Sequence, residues 1–136
     1  MSTEIELVQL FYEVIWNRHD KSAIPSVLHE AFRFRGSLGD EKQDHDGFSG
    51  YLDMVHNALK DYKCVINEIV SEPSKAFAKM EFTGIHKGNL MGAPGTGKRL
   101  SWNGAALFHF RDGKIYDLWV LGDLKSLESQ LHKRSI

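Results

Sequence analysis

The segment Gly92-Ala93-Pro94-Gly95-Thr96-Gly97-Lys98 has the G-x-x-x-x-G-K spacing of a loop that wraps phosphates in backbone N–H groups. Phosphate chemistry needs two further features. A Ser or Thr hydroxyl should follow the lysine to hold magnesium, and Arg99 stands there. A helix N-terminus should follow the loop, whereas Leu100-Ser101-Trp102-Asn103-Gly104 reads as a strand. The segment is therefore read as a glycine-rich hairpin loop, and nucleotide binding is set aside. Metal chemistry fares no better. The seven histidines are scattered, with no His-x-x-x-His pair. The single cysteine, Cys64, allows neither a cysteine cage nor an intramolecular disulfide. His45, between Asp44 and Asp46, reads as a polar cluster at a helix start. No Ser-His-Asp order with a nucleophile elbow occurs.

Proton-transfer chemistry remains. Asp123 precedes a short leucine-rich helix, where an aspartate accepts backbone N–H bonds and offsets the helix dipole. That job lowers its pKa and makes it a poor base. A catalytic carboxylate needs the reverse, an apolar and water-poor site. His109 lies in an apolar strand, as a satisfied core or interface residue or as a group that polarises a carbonyl or orients Asp123. Register links the two. If the Asp112-Gly113 hairpin has a two-residue loop, His109 and Asp123 point to opposite faces; with three residues they share one. His86 sits beside two glycines at a strand end, as a turn residue or at a pocket mouth. Arg35 ends a short apolar strand. Pointing inward, it must meet a carboxylate, Asp123 or Asp117, because an unpaired buried charge is too costly; pointing outward, it is solvated. Trp16, Trp102 and Trp119 read as core residues, one or two of which could line an apolar pocket for a flat ligand.

The elements that must position these residues fall in two halves. Thr3 and Glu6 have capping-box spacing, and Leu7, Leu10, Phe11, Val14 and Ile15 recur at helical spacing behind them. A short helix follows around Ser22 to His29, capped by Ser22, with Pro25 in its first turn. Phe32 to Arg35 alternates as a short strand. Asp46 is a candidate cap for a third helix carrying Phe48, Tyr51, Leu52, Val55 and Leu59. The second half reads as strands: Lys63 to Val70, Ala76 to Thr83, Arg99 to Phe110 and Ile115 to Gly122. Helices followed by an antiparallel sheet define an α+β fold. Leu100, Trp102, Phe108 and Phe110 lie on one side of the long strand, and Ala105 and Leu107 on the other. Apolar residues on both faces call for a second cover, most simply another copy of the chain.

Composition sets the outer bounds. The chain has 136 residues, which predicts one domain over 1–136. Lysine and arginine total 17 and aspartate and glutamate 18, for a formal charge of -1. That balance argues against a nucleic-acid or anionic-membrane binder. The acidic start lacks the pattern of a signal peptide, and no apolar run approaches the ~20 residues that span a bilayer. The expected location is the cytoplasm.

Several segments resemble the SnoaL-like polyketide cyclases. Gly84-Ile85-His86-Lys87-Gly88 and Met91 to Lys98 look like that family's Gly-x-His-x-Gly and Pro-Thr-Gly-Lys/Arg stretch, with Gly95 in place of a common proline. Asp112-Gly113-Lys114-Ile115, Trp119, Asp123 and Gln130-Leu131 are similar to its closing pattern. Phe11, Trp16 and Asn17 match its opening helix. The resemblance implies the nuclear-transport-factor-two-like α+β roll, a cone-shaped curved antiparallel sheet wrapped by helices around a pocket, commonly paired through the sheet as a homodimer. It also implies cofactor-independent, lyase/isomerase-type chemistry, an intramolecular aldol closure with an aspartate as general acid/base. Carried over, that aspartate is Asp123, and His109 falls where a pocket histidine would lie. The family's frequent Glu-His before the tryptophan is Asp117-Leu118 here. The expected ligand is a small apolar or aromatic carbonyl compound, with Arg35, Trp16, His86, Trp119 and Asp117 as binding residues and no metal. Cyclisation, isomerisation and dehydration share the same first step, proton removal next to a carbonyl. Two rivals stand beside this reading: a hydrolase in which Asp117 and Asp123 activate water, and a non-catalytic ligand-binding or dimerisation module.

Overall fold

A computed structural model describes residues 3–39 and 41–132. Helix α1 (Glu4–Leu10) starts at the expected capping box: the Thr3 hydroxyl accepts the Glu6 N–H at 3.2 Å and donates to the Glu6 carboxylate. The helix then widens into a π-helix over Phe11–Trp16, closed by Asn17 N–H donating to Tyr12 O at 2.8 Å. The second helix is shorter than its sequence predicts, and its cap differs. The Asp20 carboxylate, not Ser22, accepts the Ser22 N–H at 3.0 Å and starts a 3-10 turn (Lys21–Ala23) before α2 (Ile24–Val27). Strand β1 (Leu28–Arg35) claims the residues beyond, because Leu28 pairs with Ile115 on the sheet. Helix α3 (His45–Ala58) is likewise capped by Asp44 rather than Asp46, through the Gly47 N–H at 3.0 Å.

Strands β2 (Leu59–Glu72), β3 (Lys75–His86), β4 (Arg99–Arg111) and β5 (Lys114–Gly122) complete a curved, unclosed sheet of order β1-β5-β4-β3-β2. Every pairing is antiparallel except β1 with β5. Helix α4 (Leu124–His132) ends the described chain and buries Leu127 and Leu131. No helix among the described residues is long and apolar enough to cross a membrane.

Leu100, Trp102 and Phe108 face the core, while Ala105 and Leu107 alternate with them on the other face. The core side is packed with rings. Phe48 stands at the centre, within 5.0–6.0 Å of the rings of Phe11, Phe32, Phe34 and Trp16. Each such buried phenylalanine contributes about 1.5–3 kcal/mol of burial. The far side of the sheet is not covered by any helix among the described residues. Across it run Val70, Phe77, Leu107 and Trp119 in one row, with Leu121 beside them.

The π-helix is tied to the edge strand β2 by one side chain. The Asn17 amide donates to Cys64 O at 3.0 Å and accepts the Cys64 N–H at 2.8 Å, imitating a neighbouring strand. Replacing it leaves a half-buried N–H and carbonyl without partners. Asn17→Ala is expected to cost about 1–3 kcal/mol, read as a lower denaturation midpoint at unchanged m-value in urea.

Candidate active-site chamber

The core side of the sheet holds a small chamber of about 20 Å³, roughly the room for a single water molecule. The π-helix presents Tyr12 and Trp16 to it, α3 presents Tyr51 and Val55, and the sheet contributes Phe34, Tyr62, Trp102 and Val120. Ser37 and Leu38, from the connection after β1, close it. A π-helical turn is rare and recurs at functional sites, where it re-aims side chains; here it turns a tyrosine and a tryptophan inward.

The chamber is neutral. Among the described residues that line it there is no carboxylate, imidazole or cation. Burial pushes the phenols of Tyr12 and Tyr62 well above the ordinary tyrosine range, and raises that of Tyr51 less. All three are therefore protonated hydroxyls. The Tyr51 oxygen accepts the Leu38 N–H at 3.0 Å. Among the described residues, no hydrogen-bonding group reaches Tyr12 Oη or Trp102 Nε1. Gly122 closes the chamber's end at the β5 terminus: a Cβ there would lie 2.9 Å from Ser37 Cβ and 3.2 Å from Trp102 Nε1. The nearby Cys64 thiol is buried, which pushes its pKa well up and keeps it an inert thiol.

Of the residues singled out by the sequence, the structure brings Trp16 and Trp102 to the chamber and places His86, Arg35, His109, Asp117, Trp119 and Asp123 elsewhere. His86 is fully buried, with Nδ1 3.0 Å from Thr96 Oγ1 and Nε2 donating to Ala93 O at 3.2 Å. It pins the glycine-rich loop. Arg35 points to the outer side of the sheet, where Nη1 donates to Val120 O at 2.6 Å and the guanidinium lies 6.0 Å from the Trp119 ring centroid. His109 and Asp117 are cross-strand partners on that same outer side, 4.0 Å apart, and Asp117 is paired with Lys42. Asp123 is exposed and caps α4, its Oδ1 accepting the Ser126 N–H at 3.1 Å.

The hairpin resolves the register question in a way neither simple alternative contains. Its loop has two residues, Asp112 and Gly113, with φ of 52° and 73°, the left-handed pair of a type I′ turn. A one-residue bulge at Tyr116 then restores the parity a three-residue loop would have given, because His109 pairs with Asp117 while Phe110 pairs with Ile115. Asp123 N–H donates to Asn103 O. His109 and Asp123 therefore lie in step but six residues apart along the ladder, about 20 Å at the usual strand rise. Asp117 and Asp123 are separated by the same distance, so they cannot share one water.

The residues that sequence reasoning missed are Tyr12, Tyr51, Tyr62 and Ser37. Their signal was present but quiet: a tyrosine inside a run of phenylalanine and leucine carries a hydroxyl that must find a partner when buried.

A curved, unclosed antiparallel sheet with helices on its concave side and a pocket between them is the nuclear-transport-factor-two-like α+β fold. A model of the SnoaL-like polyketide cyclases matches residues 6–131. The chain belongs to that family. It is 30% identical over 121 residues to the aklanonic acid methyl ester cyclase DnrD of Streptomyces peucetius, covering 86% of this chain and 82% of that one. The corresponding cyclase DauD of Streptomyces sp. strain C5 is also 30% identical, with 86% and 74% covered. Among solved structures, TsrD from Streptomyces laurentii superposes with a TM-score of 0.83 at 24% identity, over 97% of this chain and 98% of that one. IdmH from Streptomyces antibioticus gives 0.85 at 19%, over 97% and 100%. These two likenesses show the fold.

Behind the chamber wall, His56 Nε2 donates to Trp16 O at 2.7 Å and its ring stacks on His19 at 4.1 Å. Burial first, and the neighbouring His19 and Lys87, lower its pKa; the Trp16 carbonyl and Asp53 oppose this. A histidine held below its ordinary ~6.5 favours the neutral ring in the fold. Its stabilising share is therefore complete above ~6.5 and lost as the pH falls toward the folded pKa. The melting temperature is expected to fall between pH 7.5 and 5.5, and His56→Gln to flatten that part of the profile in a thermal scan.

Proposed function

We propose that the chain is a cyclase-type enzyme that performs acid/base chemistry on a small, neutral carbonyl compound held in the interior chamber. The observation that carries this reading is the chamber itself: a water-poor space walled by aromatic rings and tyrosine hydroxyls, in a chain of a cyclase family. Apolar walls hold a flexible compound folded, which brings the atoms of a new bond together. A hydroxyl or indole N–H aimed at a carbonyl supports the enolate that forms when the adjacent carbon loses its proton.

Asp123 is the carboxylate we assign to that proton. It follows Gly122, which abuts Ser37 and the Trp102 indole at the chamber's end, and a compound reaching from the chamber to that end would meet it. The role requires the carboxylate to leave its cap on α4. His109 keeps the role of positioning group only in a chain arrangement that brings it to the same end. The second reading, a ligand-binding module without catalysis, is favoured by the neutral lining.

One pair of variants separates cap from base. Asparagine caps a helix about as well as aspartate, while alanine forfeits about 1 kcal/mol. With aklanonic acid methyl ester and simpler β-keto esters as test substrates, Asp123→Asn is expected to keep the wild-type melting temperature and lose ~10²–10⁴-fold in turnover. Asp123→Ala should lose both. Full turnover by Asp123→Asn leaves the residue only its cap, and no turnover by the wild type favours the binding module.

We also propose that the partner is a second copy of the chain, docked through the outer sheet face. The row of Val70, Phe77, Leu107 and Trp119 leaves Phe77 43% and Trp119 39% exposed. It is flanked by Lys75, His109, Asp117 and Arg33 on one side and by Lys79, Glu68 and Glu81 on the other. An apolar centre with a rim carrying both signs of charge is the anatomy of an interface, and a two-fold axis through the band sets one rim against the other. Sedimentation should show a dimer, and Phe77→Lys a monomer of unchanged far-ultraviolet circular dichroism. A wild-type monomer at tens of micromolar overturns this.

A further inference from the structure

We infer that Tyr12 Oη and Trp102 Nε1 select the chamber's ligand, and that they select a neutral compound with an oxygen acceptor, a ketone or ester carbonyl, over an acid or a plain hydrocarbon. The inference rests on the chamber being the ligand site. Tyr12 is 2% and Trp102 4% exposed, both residues line the same chamber, and neither Tyr12 Oη nor Trp102 Nε1 has a hydrogen-bond partner among the described residues. Buried polar atoms are paired in the great majority of cases, so two orphans on the walls of one space call for an occupant that pairs them. The indole N–H is donor only, and a tyrosine hydroxyl can donate as well. The occupant must therefore accept.

Charge narrows the class. No cation among the described residues lines the chamber, so a carboxylate or phosphate would be buried without a counter-charge. No carboxylate lines it either, which disfavours an amine. The aromatic walls of Trp16, Phe34 and Tyr62 suit a flat or apolar body. Space adds a condition. With room for about one water, the free chamber must widen for anything larger. Ser37 and Leu38 are the lining residues that belong to no helix or strand, so the wall gives on their side.

The test uses three probes of one shape: acetophenone, which accepts; isopropylbenzene, which does not; and benzoate, which is charged. The Trp102 indole N–H is assigned in the nitrogen-15 spectrum by its absence from Trp102→Phe. Saturating acetophenone is expected to move that resonance downfield, isopropylbenzene to leave it in place, and benzoate to bind at least ten-fold more weakly than acetophenone. Tyr12→Phe should weaken acetophenone about ten-fold while keeping or raising the melting temperature, because it deletes a hydroxyl that has no hydrogen-bond partner among the described residues. Absence of acetophenone binding, an unmoved Trp102 signal with acetophenone bound, or equal affinity for benzoate overturns the inference. So does a Tyr12→Phe variant that melts lower with unchanged affinity. Binding with the Trp102 shift but no turnover of any β-keto ester sinks the cyclase reading and leaves this inference standing.

Discussion

The pairing of β5 with β4 slips by one residue at Tyr116, and the slip decides which side chains of β5 see the interior. With it, Ile115, Leu118 and Val120 face the core, while Asp117, Trp119 and Leu121 face outward. Side chains alternate with period two, so a shift of one residue exchanges the two sets. The exchanged register would drive the Asp117 carboxylate into an aromatic core, at a cost that no nearby cation there relieves. It would also turn Leu118 and Val120 out to water. The type I′ turn at Asp112-Gly113 supplies the tight reversal, and the bulge corrects its phase.

Much of the fold follows from local chemistry that the sequence displays. The Thr3 to Glu6 capping box, the Asp112-Gly113 turn and the Asp123 cap all appear where their residue types require. The long strands carry their apolar residues on the faces their alternation indicates. Competition between equivalent caps was not legible. Asp44 and Asp46 are the same residue two positions apart, and only the path of the chain into Phe34, whose N–H and carbonyl bridge to Gln43, selects Asp44. Asp20 outcompetes Ser22 because a carboxylate holds two donors, the Ser22 N–H and its hydroxyl, at once. The π-helix was not legible either, since its wider turn costs local geometry and is recovered only by what Tyr12 and Trp16 meet across the chamber.

The candidate site was less legible than the fold, for a physical reason. Reasoning from residue types looks first for titratable groups, and titratable groups are stable where water or a counter-charge is near. That places Asp117 with Lys42, Arg35 against a backbone carbonyl and Trp119, and Asp123 on a helix N-terminus, all outside the aromatic interior. The chamber keeps the polar groups that burial tolerates, phenols, a hydroxyl and an indole N–H. A tyrosine in an apolar stripe looks like core until the structure shows its hydroxyl without a partner.

This division bears on how such a scaffold can work. A space lined only by neutral donors polarises a carbonyl but removes no proton, because its phenols are held protonated by burial. The carboxylate we propose as the base, Asp123, stands exposed at the sheet's end and accepts a helix N–H there. Joining the two requires a ligand that spans both, with its acceptor oxygen among the donors and its acidic carbon beyond Gly122. In the reading we propose, binding energy gained deep in the chamber serves to draw the Asp123 carboxylate from its cap when a proton is taken. The two unpaired donors fit that arrangement. They weaken the empty protein slightly and return the same interaction only when a carbonyl is in place, so the chamber is preorganised for an occupant rather than for its own stability.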